Sequence, residues 1–282
     1  MRRKVELIGL SFLFLCIVIT LLSLMVLLVY LTVNGAKVMS LSFLLESPKA
    51  GMTKGGIFPA ILGSFLLASG SILFALPLGI SSAVYLVEYA KNEKIVGTIR
   101  IGVNALAGVP SVVFGLFGLA VFVKLFGFGV SILSGSLTLG ILILPIIIRV
   151  SEEAIRAVPK EFREASLALG ADRWQTVKRV VLPTALPGIL TGAILGIGRA
   201  AGETAPIMFT AVTFFKRGLP DSLLDEVMAL PYHIYALMTE GTKPEYQTPI
   251  AYGTALVLLL LVLGINLVAI TIRTRARRRK GW

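Results

Sequence analysis

Arg199 and Glu203 stand four residues apart in an otherwise apolar, glycine-rich run from Gly188 to Pro206. On a helix that spacing puts both on one face and lets them pair. Each costs about 2.5–3.5 kcal/mol at a bilayer centre on insertion scales, so such residues are retained there for a reason. One chemistry open to them is the passage of an oxyanion. A guanidinium offers a planar fork of donors suited to it, and a carboxylate one turn on can reclaim that fork so that the anion is not held too tightly. The other role is structural, a lock of this helix against a neighbour with no solute involved. Counted from Pro183 along a continuous helix, Arg199 lies about 24 Å on, which puts the pair in the outer half of a membrane.

A second stretch, Glu164-Ala165-Ser166-Leu167-Ala168-Leu169-Gly170, is followed after nine residues by Val180-Val181-Leu182-Pro183. It lies in a segment, Ser151–Leu182, too rich in Glu, Asp, Arg and Lys to sit in lipid. Pro159 can open a helix at its first turn. Phe162, Ala165, Ser166 and Leu169 then recur at three- and four-residue spacing and give one small-to-apolar face. Gly170 ends that helix, and Ala171-Asp172-Arg173-Trp174 begins the next. A short helix closed by a glycine turn is a compact knob that fits a groove on another protein. An amphipathic loop lying on the membrane surface would satisfy the same residues.

The elements that must position these residues are membrane spans. At 282 residues the chain is 56% hydrophobic, against roughly 45–50% in soluble domains, and its mean hydropathy is +0.89. The net charge of +12 does not indicate nucleic acid, because the basic residues punctuate apolar runs instead of gathering on a water-exposed module. The single cysteine, Cys16, allows neither an intramolecular disulfide nor a cysteine metal cluster. The lone histidine, His233, is expected to be an interfacial polar residue without chemistry.

A spanning helix needs about 20 mostly apolar residues. Six runs qualify: Leu7–Val33, Pro59–Tyr89, Ile101–Phe126, Ile132–Val150, Pro183–Val212 and Pro249–Ile272. The first exceeds the apolar core of a signal peptide and is expected to be retained. Pro77, Pro110 and Pro145 predict kinks within spans two, three and four. With both termini inside, 19 of the 27 Lys and Arg residues fall on the cytoplasmic side, seven outside, and Arg199 within a span. Cytoplasmic loops carry the basic excess, which selects this orientation. Two outer loops follow, 34–58 and 213–248, the second with an amphipathic stretch Asp221–Met238. The basic cluster Arg273–Lys280 suits an anchor on anionic lipid.

Glu164 to Pro183 resembles the signature of ABC-importer permeases, Glu-Ala-Ala, three residues, Gly, nine residues, then Ile-x-Leu-Pro, with Ser166 and Val180 as mild departures. Gly198-Arg199-Ala200-Ala201-Gly202-Glu203-Thr204-Ala205-Pro206 is similar to the signature of Pst-type phosphate permeases of the A-type. So are Gly55-Gly56-Ile57-Phe58-Pro59-Ala60-Ile61 and Leu230-Pro231-Tyr232-His233-Ile234-Tyr235, and the likeness runs over most of residues 55–272.

The resemblance implies an all-α polytopic membrane protein with six transmembrane helices and the type I ABC-importer fold. Its core would be 59–272 with a coupling loop at 151–182, preceded by a first helix and outer loop, 1–58, and followed by a basic cytoplasmic tail, 273–282. The function implied is the permease subunit of an ATP-driven phosphate importer in a prokaryotic plasma membrane. Its partners would be a C-type permease, an ATPase dimer that binds ATP and Mg, an extracytoplasmic phosphate-binding protein and membrane lipid, with no nucleic acid. By the same resemblance Arg199, Glu203 and Thr204 belong to the substrate pathway, and Phe162, Glu164, Ala165, Gly170 and Asp172 to the ATPase contact. No catalytic residue, metal or cofactor is expected on this chain, which lacks a Gly-x-x-x-x-Gly-Lys-Ser/Thr element. Permeases for phosphonate, sulfate or molybdate, or an ATP-independent anion channel or carrier, are the alternatives.

Overall fold

The structure, a computed structural model, describes residues 2–216 and 218–278, so residues 279–282 of the expected basic tail lie outside it. Helix accounts for 78% of the described residues. In chain order the elements are α1 (Arg2–Ala36), the short α2 (Leu41–Leu45), and a hairpin of β1 (Pro48–Lys49) and β2 (Lys54–Gly55). Then come α3 (Phe58–Tyr89), α4 (Glu93–Ala107), α5 (Ser111–Leu125), α6 (Ile132–Arg156), α7 (Lys160–Ala168) and α8 (Arg173–Gly202). The chain closes with α9 (Ala205–Thr210), α10 (Leu230–Thr239) and α11 (Pro244–Arg278). Among the described residues α1, α3, α6, α8 and α11 are each long and apolar enough to cross a membrane, and α4 with α5 make a sixth span if the bent pair is counted as one.

Span three differs from expectation. Pro110 does not kink one helix; it separates α4 from α5, which meet at 98°. Proline lacks a backbone donor and disfavours helical geometry in the residue before it. Gly108 closes α4, and Pro110 sits in extended geometry ahead of α5. By contrast α3 and α6 run on through Pro77 and Pro145. Span five also differs at both ends. It starts at Arg173, well before Pro183, because Asp172 and Gln175 form a capping box there. It stops at Gly202, where Glu203 is extended, so Val212 is not part of it. Three stretches widen to i→i+5 turns, Tyr85–Tyr89, Leu119–Leu125 and Val177–Val181, a geometry frequent at functional sites.

The bundle is built on α6, which packs against α3 on one side and α8 on the other. Gly188, Gly192 and Gly196 of α8 face Ala154, Val150 and Ile147 of α6, so the expected small-residue ladder is the seam between these helices. Ile143 and Ile147, fully buried, fill the space beside it with Ala75 and Ala200. The first helix lies apart from this core and packs along α11. There the Tyr30 and Tyr252 hydroxyls meet at 3.2 Å. From Gly9 to Val33 α1 is otherwise mostly exposed and apolar, Cys16 included, as a lipid-facing span requires.

The amphipathic stretch Asp221–Met238 is helical only from Leu230. Before it the chain is folded back: Val227 bridges Val212 in parallel, and Asp225 accepts from the Asp221 N–H at 3.0 Å and from Lys216 at 3.1 Å. Those donors hold the Asp225 carboxyl below its ordinary range. His233 is 2% exposed rather than interfacial, and its two ring nitrogens have no partner among the described residues.

Burial lowers the His233 pKa from 6.5 to about 4. The unfolded ring takes a proton below about 6.5 while the folded ring resists until about 4, so its contribution is present above 6.5 and is lost as pH falls through that window. The melting temperature is therefore expected to drop between pH 7.5 and 5.5, and His233→Phe is expected to shrink that drop. An equal drop in both proteins would show that other groups set the dependence.

Candidate coupling surface and membrane pathway

Pro159 is the N-cap just before α7, not the first-turn residue that the sequence suggests. At the other end Gly170, with φ of +82°, lets its own N–H reach Leu167 O at 2.9 Å and that of Ala171 reach Ser166 O at 3.2 Å. This is a Schellman closure, and a left-handed residue at that place strongly favours glycine. The result is a short projecting helix. Glu164, Ala165 and Gly170 are exposed on it, with Leu167 at 50%, Leu169 at 89% and Trp174 at 58% alongside. Asp172 is spent on its own helix: its carboxylate accepts from Gln175 N at 2.7 Å. Phe162 points the other way and packs against the buried cluster of Val84, Ile155, Val177 and Val181.

What fastens α7 is a residue pair that spacing could not reveal. Arg163 donates to Glu88 Oε1 from Nε at 3.0 Å and Nη2 at 2.8 Å. The same guanidinium also donates to the carbonyls of Val158 at 2.6 Å and Ile155 at 2.8 Å. Glu88 lies in the widened last turn of α3 and is buried. Two lesser contacts reinforce the joint: Ser166 Oγ to Thr176 Oγ1 at 2.9 Å, and the Arg173 guanidinium 5.3 Å over the Tyr89 ring. One short helix is thus tied to the ends of α3, α6 and α8.

At the far end of α8, Arg199 Nε reaches Glu203 Oε1 at 3.2 Å. The pair forms although Glu203 is not helical, because it caps the helix with its N–H directed to Ala200 O at 3.4 Å. Arg199 occupies the last helical turn, where the helix dipole favours a cation. Its two terminal nitrogens make no hydrogen bond among the described residues, so most of the fork is unused. Glu203 and Thr204 are half-buried. One neighbour was not foreseen. Asn266 of α11 sits against Gly198 with its Oδ1 buried and unpartnered, and its only sequence signal is an amide inside an apolar run.

A second reference point for the pair comes from the basic end of α11. Thr191 of α8 accepts from Arg273 at 3.2 Å, at the basic end of α11. Arg199 lies eight residues further along, about 12 Å, which is close to the middle of a hydrocarbon layer of roughly 30 Å. A broken helix at that depth is tolerated only where its backbone is covered by protein or lines a polar cavity. Among the described residues no three His, Cys, Asp or Glu side chains come together as metal ligands.

A helical bundle with a projecting loop helix at one end and a charged helix break near its middle is the membrane subunit of an ABC importer. The chain belongs to the family of binding-protein-dependent transport system inner membrane components, whose model matches residues 75–281. It is 39% identical over 242 residues to the probable ABC transporter permease protein YqgI of Bacillus subtilis, covering 82% of each chain. It is 41% identical over 208 residues to the phosphate transport system permease protein PstA of Mycobacterium leprae, covering 73% of this chain and 66% of that one.

Among solved structures, a bacterial alginate ABC transporter in complex with an alginate pentasaccharide-bound periplasmic protein matches at a TM-score of 0.68, with 16% identity and 96% coverage of both chains. The methionine ABC transporter MetNI, in an inward-facing conformation, matches at 0.60 with 20% identity, over 78% of this chain and 94% of that one. At such identities the likeness is one of fold, the type I importer architecture that the sequence resemblance implied.

Proposed function

We propose that the chain is one of two permease subunits in an ATP-driven importer of inorganic phosphate, seated in the inner membrane of a prokaryote with both termini cytoplasmic. The orientation is supported by the basic excess around α7 and the ends of α1 and α11. The phosphate reading is supported by relatives named phosphate transport permeases. The observation that carries it is the largely unused guanidinium fork of Arg199 at the break that ends α8. Arg199, Glu203 and Thr204 line the path. Glu164, Ala165 and Gly170, with exposed Leu169, meet an ATPase subunit that binds ATP and Mg, while Phe162 and Asp172 hold the knob in shape. A C-type permease completes the path, and a phosphate-binding protein docks at the α10 end.

Reconstituting the chain with these partners in vesicles tests the proposal. Labelled phosphate should enter only with ATP, and sulfate, molybdate and phosphonate should compete poorly. Uptake without ATP would replace this reading with a channel or carrier, and better competition by another oxyanion would replace the substrate.

Gly170→Val is expected to lower uptake roughly tenfold while ATP hydrolysis continues, because a β-branched residue at φ of +82° is strained by on the order of 1–3 kcal/mol and the knob must deform. An assembled Gly170→Val complex that transports at the normal rate would remove the coupling assignment.

A further inference from the structure

Between α4 and the α7-side ends of α3 and α6 lies a groove made of two adjoining cavities. The first, of 210 Å³, has a polar wall of Arg100, Asn104, Arg149, Glu152, Glu153 and Arg156. The second, of 370 Å³, reaches deeper along α3 past Tyr85 to Ser81. Leu86, Val103 and Ile148 line both, so the two share a wall. Polarity changes along the helices. On α6 the buried Ile148 precedes Arg149, Glu152 and Arg156, which lie successively closer to α7. The arginines therefore stand at the interfacial end, and the apolar wall runs toward the membrane interior.

Charge in the groove is unbalanced. Glu152, its side chain 10% exposed, uses one oxygen for two partners: Oε1 accepts from Arg100 at 2.6 and 2.8 Å and from Arg156 at 2.9 Å. Arg100 and Arg156 remain 37% and 50% exposed. Arg149 has neither ion pair nor hydrogen bond among the described residues, although it lies at the edge of an apolar span. Three guanidinium groups thus face two carboxylates, Glu152 and Glu153, leaving one positive charge. An exposed, unpaired arginine at the edge of an apolar span is stabilised by an anion, and basic pockets between helices at a membrane interface suit lipid head groups.

We propose that this groove binds one anionic glycerophospholipid, with the phosphodiester among Arg100, Arg149 and Arg156 and an acyl chain along Leu86, Val103, Ile148 and Tyr85. Its polarity runs along the membrane normal in the sense of a lipid in the adjacent leaflet, which a free oxyanion or a protein segment would not need. The flanking helix α4 is exposed along most of its length, so the groove is open at its side. The site does not depend on which solute the chain transports.

Native mass spectrometry of the full chain in detergent, titrated with phosphatidylglycerol, phosphatidylcholine or inorganic phosphate, tests the proposal. One phosphatidylglycerol is expected to be retained per chain, resistant to excess inorganic phosphate, with phosphatidylcholine held more weakly. Arg149→Gln is expected to weaken retention about fivefold, the worth of one basic residue near an anionic lipid surface, and Val103→Trp to weaken it by blocking the apolar end. Lys178→Gln, remote from the groove, is expected to change nothing. Equal retention of both lipids, displacement by inorganic phosphate, or equal losses in Arg149→Gln and Lys178→Gln would each overturn the site.

Discussion

Replacing Arg199 by Gln is expected to bring phosphate uptake close to background while the assembled complex still hydrolyses ATP. Only Nε of Arg199 is engaged, at 3.2 Å from Glu203, so the two terminal nitrogens are available to an oxyanion. Hydrogen bonds to charged groups are worth about 1.5–3 kcal/mol, and the loss corresponds to roughly 10- to 150-fold in rate. Glutamine keeps the stem and removes the charge, so the packing of α8 on α6 through Gly188, Gly192 and Gly196 should survive. Arg199→Lys separates charge from shape: partial activity means that the cation suffices, and near-total loss means that the planar fork is required. Normal uptake by an assembled Arg199→Gln complex would make the pair a clamp and move the pathway to other helices.

The largest stability effect is expected at Arg163. Truncating it to Ala leaves the Glu88 carboxylate buried without its partner, a loss typically of about 3–5 kcal/mol, and releases the carbonyls of Ile155 and Val158 at the end of α6. Glu88→Gln should be milder, since the amide still accepts one bond and the carbonyl contacts persist. Limited proteolysis between residues 157 and 172, with a melting curve, reads the difference. Cleavage should accelerate strongly in Arg163→Ala and modestly in Glu88→Gln. An Arg163→Ala chain that melts and resists cleavage like the parent would show that α7 is held by Phe162 and its apolar neighbours alone.

What could be read from the sequence was local. Long apolar runs gave the spanning helices, and the i, i+4 spacing of Arg199 and Glu203 gave their contact even though the helix ends between them. Gly170 was legible because a knob must be closed by a residue that tolerates left-handed geometry. Glu88 and Arg163 were not, since partners 75 residues apart leave no periodic trace. Spacing put Phe162 on one face with Ala165 and Leu169, but periodicity does not say which face meets the protein. Pro110 marked a disturbance in span three without its size, which depends on whether neighbouring groups re-satisfy the freed backbone. A helix starting at Ala171–Trp174 was legible, but its continuation into span five was not, because its polar first turns and Pro183 mark a boundary that the backbone does not observe.

Because α8 runs unbroken from Arg173 to Gly202, the knob and the cation are two ends of one lever about 45 Å long. Its tightest packing is the glycine seam against α6, centred near Gly192, which would act as the fulcrum of a tilt. From there the arm to Arg173 is about 28 Å and the arm to Arg199 about 10 Å. A tilt about that seam moves the two ends in opposite directions, and a displacement of about 3 Å beside α7 arrives at the guanidinium as about 1 Å. A gear of that ratio trades travel for force, so a large swing at the surface becomes a small, strong adjustment at the charged break.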